Sequence, residues 1–232
     1  MGVPVLTNEQ VEALYDALLS NADRLCREAE LLLGAGSAGR ARSLVVLALE
    51  ESAKAIAIHD RRRDAVIDRL PEPELDVTFW QEWASHRDKL RRVYEFLVRE
   101  DYWFGTPQPP HPLMDESPEH CLAVLDGWAR QDNEFKQRGF YVDVDRATGQ
   151  ILVPEPGDAA EVLEMITLVE QVGWQVRLGD HIVWKQALER AEGAASFEET
   201  AVESGEQFAR MNRPGWEACR RHVVADVADE HD

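Results

Sequence analysis

The spacing of apolar residues along the chain predicts a protein built almost entirely of helices. A capping box, in which Thr7 is followed three positions later by Gln10, begins a helix whose apolar positions continue to Gly34. Four further stretches have the same periodicity, and they cover 40–63, 77–99, 117–139 and 158–188. The fourth helix is predicted to begin at Ser117-Pro118 and to have Gly139 as its C-cap.

One segment between the fourth and fifth helices has a different pattern. Residues 140–144 and 151–153 are rich in β-branched and aromatic side chains, and the sequence RATGQ between them is typical of a turn. We therefore predict an all-α bundle that carries one small β-hairpin and extra helices at its C-terminal end. The predicted domains are a helical domain over 1–192, which includes the hairpin at 140–153, and an acidic helical extension over 193–232.

The second helix departs from the usual amphipathic pattern. Its sequence SLVVLALEESAKAIAI is apolar nearly all the way round, yet it contains Glu50, Glu51 and Lys54. Glu51 and Lys54 share a stripe with leucine and isoleucine residues, so they are predicted to face the core. Because an unpaired buried charge costs several kcal/mol or more, these groups should be paired or bound to something.

The third helix has a matching feature. His86 lies in its apolar stripe, and Lys89 follows at i+3. Apolar stripes face one another in a bundle, so the two charged sets are predicted to meet in one cavity. The candidate catalytic residues are Glu50, Glu51, Lys54, His86 and Lys89.

This set suits cleavage of a phosphodiester without a metal. His86 would move a proton at the ribose 2′-hydroxyl or the leaving oxygen, and the lysines would stabilise the negative charge of the transition state. The carboxylates would hold the lysines and orient the imidazole. The same residues also suit a buried ion-pair network that only sets the register of the helices.

Composition narrows the range of functions. The 232-residue chain has a formal net charge of -19, which excludes a broad basic surface that coats nucleic acid, so any RNA contact must be local. Three separate cysteines without a CxxC motif indicate a reduced, cytoplasmic protein. We see no signal peptide and no membrane-spanning run.

A metal site is not predicted either. Carboxylate bundles that bind metal need Glu-x-x-His on two helices. The nearest cases, Glu82 with His86 and Glu119 with His120, have the wrong spacing. We therefore predict neither a metal nor a cofactor.

Three ordered motifs make this chain similar to a known family. ALEESAKA at 48–55, FWQEWASHRDKL at 79–90 and FKQRGFYVDVD at 135–145, with Pro154 after it, resemble the AbiV family of abortive infection proteins. That family belongs to the HEPN superfamily of helical, usually dimeric domains, and the resemblance covers about residues 10 to 180. It implies an anti-phage role and a homodimer.

The resemblance also bears on the site residues. Many HEPN proteins are metal-independent ribonucleases that use an Arg, four to six residues, then a His. Here Arg177 and His181 are one residue too close for that motif. The pattern shared with the AbiV family adds Tyr141 and Asp143 of the hairpin, which together with Arg87 are the candidate substrate-binding residues.

Two functional hypotheses follow. In the first, the protein is a ribonuclease-type toxin that blocks translation or growth on infection. In the second, it is a protein-binding effector or sensor whose Glu/Lys/His network is structural or holds a ligand. Its acidic surface would then bind a phage or host protein.

Overall fold

The computed structural model describes residues 4–99 and 118–192 apart from positions 69, 71 and 155, with backbone alone at 98–99, 118–122 and 183–192. Its elements in chain order are α1 (Asn8–Gly34), α2 (Ala38–Asp68), α3 (Val77–Ala84), α4 (His86–Arg99), α5 (Pro118–Phe140), β1 (Asp143–Val144), β2 (Ile151–Leu152) and α6 (Ala159–Glu192). This confirms the predicted all-α bundle with a small hairpin. The predicted extension at 193–232 lies outside the described residues, as does Ser117.

Helix α2 is the centre of the bundle. It packs against α1, α4, α5 and α6, and its side chains are buried on nearly every side. Small residues such as Ala41, Ala48 and Ala55 are fully buried and let the neighbouring helices approach closely. A helix that is apolar all round belongs in a core, and this position explains why charged residues within α2 are buried.

Local signals set several of the helix ends. The Thr7 hydroxyl accepts a hydrogen bond from the Gln10 amide at 3.3 Å, and the Gln10 side chain accepts one from the Thr7 amide at 3.0 Å, so the predicted capping box is confirmed. The Asp158 carboxylate accepts a hydrogen bond from the Ala160 amide at 2.8 Å, at the start of α6. Helix α6 then continues through its internal glycines, as the sequence indicates.

The prediction of a single helix over 77–99 is wrong in one respect, because the chain forms two helices there, α3 and α4. The chain is extended at Ser85, with φ -84° and ψ 116°, and α3 ends there. The Ser85 hydroxyl accepts a hydrogen bond from the Asp88 amide at 3.3 Å, which caps the start of α4. His86 is therefore the first residue of a helix, and Lys89 keeps its place one turn later.

Gly139 is not a C-cap, which corrects a second prediction. It lies within α5, buried against α2. A Cβ atom at this position would lie 2.1 Å from the Ser43 hydroxyl oxygen and 2.2 Å from the Gly39 carbonyl oxygen. The glycine is needed because the backbones of α2 and α5 nearly touch there, so packing rather than helix termination explains it.

The hairpin is confirmed, with short paired strands. Strands β1 and β2 are antiparallel, with Asp143 opposite Leu152 and Val144 opposite Ile151. None of the described helices is sufficiently long and apolar to cross a membrane.

Candidate functional site

A single buried carboxylate organises the candidate site. Glu50 of α2 is 3% exposed, and it faces α4 and α5. Its Oε2 atom lies 2.7 Å from His86 Nδ1 and 2.9 Å from Lys89 Nζ, both on α4, and its Oε1 atom lies 2.5 Å from Lys136 Nζ on α5. We call Glu50, His86, Lys89 and Lys136 the Glu50 site. Three helices thus contribute to one polar cluster inside the bundle.

The charge of Glu50 is stabilised by these partners. Burial by itself raises the pKa of a carboxyl group, because desolvation disfavours the charged form. Hydrogen bonds from Lys136, Lys89 and His86 outweigh that effect, so the pKa of Glu50 is lowered from its ordinary value. The group is therefore an anion at neutral pH, with positive charges fixed around it.

His86 connects the buried cluster to the solvent. Its side chain is 57% exposed, whereas Lys89 is 9% and Lys136 is 12% exposed. Glu50 Oε2 lies 2.7 Å from His86 Nδ1, and an ionised carboxylate can only accept hydrogen bonds. We therefore assign a proton to Nδ1, which donates it to Glu50, and this leaves Nε2 as the ring nitrogen available for proton exchange.

The predicted catalytic set divides into two groups. Glu50, His86 and Lys89 meet as predicted. Glu51 and Lys54 instead form their own ion pair at 2.7 Å within α2, and their side chains are 19% and 18% exposed. The core-facing position that we predicted for Glu51 belongs to its neighbour Glu50.

Lys54 has an additional contact on the α3 side. Its ammonium group lies 5.3 Å from the ring centroid of Trp83, which packs with Phe79 and Trp80. This contact is a cation–π interaction. It accounts for the partial burial of Lys54 without any ligand.

The three predicted substrate-binding residues lie elsewhere. Arg87 Nε donates to Asp126 of α5 at 2.9 Å, and this contact lowers the pKa of the Asp126 carboxyl group. Tyr141 is 67% exposed, and the Asp143 carboxylate accepts a hydrogen bond from the Val144 amide at 2.7 Å. Among the contacts of the described residues, none joins these three side chains to Glu50.

Arg177, the arginine of the shortened HEPN-type motif, forms an ion pair with another helix. Its guanidinium lies 3.2 Å from the Asp23 carboxylate of α1. His181 follows one turn later on α6 and is exposed.

Lys136 is the member of the Glu50 site that sequence reasoning missed. It falls on the face of α5 that also carries Leu125, Ala129, Asp132 and Gly139, all of which are buried. A lysine on the buried stripe of a helix is the same signal that singled out the charges of α2. Applied to the fourth helix, that rule would have identified Lys136.

A second buried carboxylate lies one turn before Lys136. Asp132 is 7% exposed and accepts a hydrogen bond from the Tyr94 hydroxyl. Burial, assisted by the charge of Glu161, raises the pKa of Asp132 to about 6, although the Tyr94 hydrogen bond and Arg42 act in the opposite direction. Arg42 itself is paired with Glu161 at 3.1 Å.

We expect Asp132→Asn to stabilise the protein at neutral and alkaline pH. A carboxyl group whose folded pKa is raised contributes stability that is present below its unfolded pKa and is lost as the pH rises through the folded value, here about 6. The amide keeps the acceptor for Tyr94 without the charge. The expected gain is about 1 to 3 kcal/mol near pH 8 and vanishes near pH 4. Urea unfolding of both proteins across this range measures it, and a gain that is independent of pH would contradict it.

The site contains the groups for proton transfer and for binding an anion. Within the described ranges, no three His, Cys, Asp or Glu side chains are grouped in a way that could hold a metal ion. The Glu50 site itself has one carboxylate and one imidazole, and lysine ammonium groups repel cations. The site thus combines one histidine, held by Glu50, with the positive charges of Lys89 and Lys136.

The fold and the site define a HEPN-type helical bundle, with a polar centre enclosed by α2, α4 and α5. The family model HEPN_AbiV, whose description is AbiV, matches residues 10–174. This chain therefore belongs to the AbiV family of HEPN-type abortive infection proteins. All four residues of the Glu50 site lie within the matched range. No curated protein and no solved structure matches the chain.

Proposed function

We propose that this protein is an anti-phage effector that cleaves RNA at the Glu50 site without a metal and so blocks translation or growth on infection. One observation carries the proposal. A buried carboxylate holds the exposed His86 by its Nδ1 atom, with Lys89 and Lys136 on the same carboxylate. A carboxylate that fixes one imidazole nitrogen and leaves the other free is the arrangement of a general acid–base pair.

Each residue has a distinct role in this proposal. His86 Nε2 takes the proton of the ribose 2′-hydroxyl, or returns a proton to the leaving 5′-oxygen. Glu50 orients the imidazole and stabilises its charged form. Two lysines and one glutamate give the cluster a net charge of about +1 with a neutral imidazole, so an RNA phosphate is attracted to this place on an otherwise acidic protein.

A second candidate function is favoured by the burial of the same cluster. Glu50 is almost fully enclosed, and both of its oxygen atoms are taken by ion pairs. A buried network of this kind can serve only to fix the packing of three helices. The protein would then act by binding a phage or host protein, with no chemical step.

The replacement His86→Ala separates the two functions. We expect it to abolish RNA cleavage while it changes the thermal midpoint by only a few degrees, because a side chain that is 57% exposed contributes little packing. The measurement is RNA integrity and growth in cells that express wild type or variant, before and after phage infection. His181→Ala, an exposed histidine of α6, is the matched control and should behave as wild type.

Other outcomes would contradict the nuclease. Growth arrest or phage protection with intact RNA would favour the binding function. RNA cleavage that survives His86→Ala but is lost in His181→Ala would move the chemistry to the Arg177–His181 pair.

A further inference from the structure

One line along the central helix is not fully enclosed. Between positions 41 and 59 every side chain of α2 is buried except five, which follow one another at intervals of three or four residues and so share one side of the helix. We call this set the open stripe, and its members are Leu44, Leu47, Glu51, Lys54 and Ala57. Solvent therefore reaches the central helix along one line, and the charged members of that line are Glu51 and Lys54.

An aromatic side chain lies against the centre of the open stripe. Lys54 Nζ is 5.3 Å from the ring centroid of Trp83 and 2.7 Å from Glu51 Oε1. The indole of Trp83 is itself partly exposed, and Phe79 and Trp80 pack against it at centroid distances of 5.5 Å and 5.4 Å. We call Glu51, Lys54 and Trp83 the Trp83 cluster. It offers the solvent an aromatic ring, a hydrogen-bond donor and an acceptor at one place.

The Trp83 cluster is close to the Glu50 site. Glu51 follows Glu50 directly in α2, and Trp83 precedes His86 by three residues. Three residues span at most about 11 Å, so the α-carbons of Trp83 and His86 are no farther apart than that. A single strand whose phosphate lies at the exposed His86 imidazole thus has a neighbouring base within reach of the indole.

We infer that the Trp83 cluster is a nucleobase subsite beside the Glu50 site and that it selects guanine in single-stranded RNA. Proteins read single-stranded RNA by stacking its bases on aromatic side chains and by hydrogen bonds to the Watson–Crick edges. A duplex hides both the edges and the faces of its bases, and a chain of net charge -19 repels the dense phosphate charge of a duplex. The inference rests on the proposed ribonuclease, for which it names the substrate class.

Guanine fits the Trp83 cluster because of its hydrogen-bonding edge. It presents the O6 acceptor next to two adjacent N–H donors, and no other RNA base has two adjacent donors on that edge. A carboxylate accepts from both donors, and an ammonium group donates to O6. Glu51 and Lys54 lie side by side, as the matching groups do on guanine. On binding, the ammonium group of Lys54 moves from the indole to O6, and the base stacks on the indole in its place.

Binding of 2′-O-methyl RNA probes tests the inference without cleavage, because these probes lack the 2′-hydroxyl that the proposed reaction uses. Four probes differ in one central base within a run of uridines. By fluorescence anisotropy, we expect the wild type to bind the guanine probe about tenfold more tightly than the others. Trp83→Leu should weaken that binding by about tenfold, because one stacking side chain is lost. Glu51→Gln should remove the preference for guanine, because the amide no longer accepts from both donors.

Two matched variants control for general effects. Trp128→Leu removes a tryptophan of α5 that is 37% exposed, and Glu134→Gln opens the ion pair of Glu134 with Arg138 on the same helix. Both should bind the four probes as the wild type does. Circular dichroism reports whether each variant is folded. If Trp83→Leu is not folded, Glu51→Gln carries the comparison, since it changes a pair that is partly solvated.

The RNA ends that the wild type produces separate this inference from the proposed function. Fragments should end beside guanine, and this preference should vanish with Glu51→Gln. Cleavage without base preference, equal binding of the four probes, or guanine selectivity that survives Glu51→Gln would each overturn the inference alone. Guanine-selective binding by a protein that cuts no RNA would support the subsite and overturn the ribonuclease.

Discussion

Replacing Glu50 with glutamine is expected to destabilise the protein more than any other single change within the site. The amide has the size of the carboxylate but not its charge, so Lys89 and Lys136 remain largely buried without a counter-ion. Removing one partner of a buried ion pair costs about 3 to 5 kcal/mol. For a chain of this length that corresponds to a fall in the thermal midpoint of about 10 °C.

The neighbouring residue provides a matched control. Glu51→Gln makes the same chemical change one position along α2, in a pair with Lys54 whose side chains are partly solvated. Its expected cost is below about 1 kcal/mol. Equal effects of the two variants in urea or thermal unfolding would show that the Glu50 cluster does not hold the three helices together.

The acid sensitivity of the wild type checks the same interaction. The pKa of Glu50 is lowered in the folded protein. Its contribution to the free energy of unfolding is therefore present above the ordinary carboxyl pKa, and it is lost as the pH falls through the pKa of the folded protein. Glu50→Gln has no such group. The stability difference between wild type and variant should therefore shrink on acidification, and a difference that grows would contradict this assignment.

Replacing Gly139 with alanine is expected to have the second large effect. The new methyl group would overlap the Ser43 hydroxyl oxygen at 2.1 Å and the Gly39 carbonyl oxygen at 2.2 Å. Since one of these atoms belongs to the backbone of the central helix, α2 and α5 must move apart. We expect a loss of about 2 to 4 kcal/mol, which exceeds the gain of up to about 1 kcal/mol that alanine brings within a helix.

Gly127 of the same helix is the control for this prediction. A Cβ atom there meets nothing within 4 Å. Gly127→Ala should therefore stabilise the protein slightly, through helix propensity and a less flexible unfolded chain. Thermal unfolding measures both variants, and a Gly139→Ala variant as stable as Gly127→Ala would mean that α2 and α5 are not in close contact.

Separation of α2 and α5 would also act on the site. Gly139 lies one turn after Lys136, and Lys136 reaches Glu50 across the same helix pair. The Ser43 hydroxyl lies 2.9 Å from the Lys136 carbonyl oxygen and so joins the two helices beside the site. The close glycine contact is thus part of what positions the lysine, and Gly139→Ala should impair function as well as stability.

The sequence predicted the bundle well because its signals are local. The Thr7 capping box and helical periodicity depend on neighbours a few positions away. The capping box predicted the start of α1 correctly, and the periodicity over 158–188 predicted the start of α6 to within one residue. The break at Ser85 was missed because the apolar stripe continues across it. At that position a side-chain cap for α4 competes with continuation of the helix.

By itself, the sequence determined that helices enclose a polar centre. An apolar helix that contains charged residues must be buried, and its charges must be paired, wherever the other helices lie. The spacing of His86 and Lys89 likewise places both side chains on one side of a helix.

Only the tertiary structure decided which charges meet. Glu50 and Glu51 point about 100° apart on α2, and the arrangement of α4 and α5 around that helix determined that Glu50 is the enclosed one. The same packing places Lys136, which is distant in sequence, in an ion pair with the second carboxylate oxygen of Glu50. It also places Gly139 against the backbone of α2. These contacts depend on distances between helices, and periodicity within one helix carries no information about such distances.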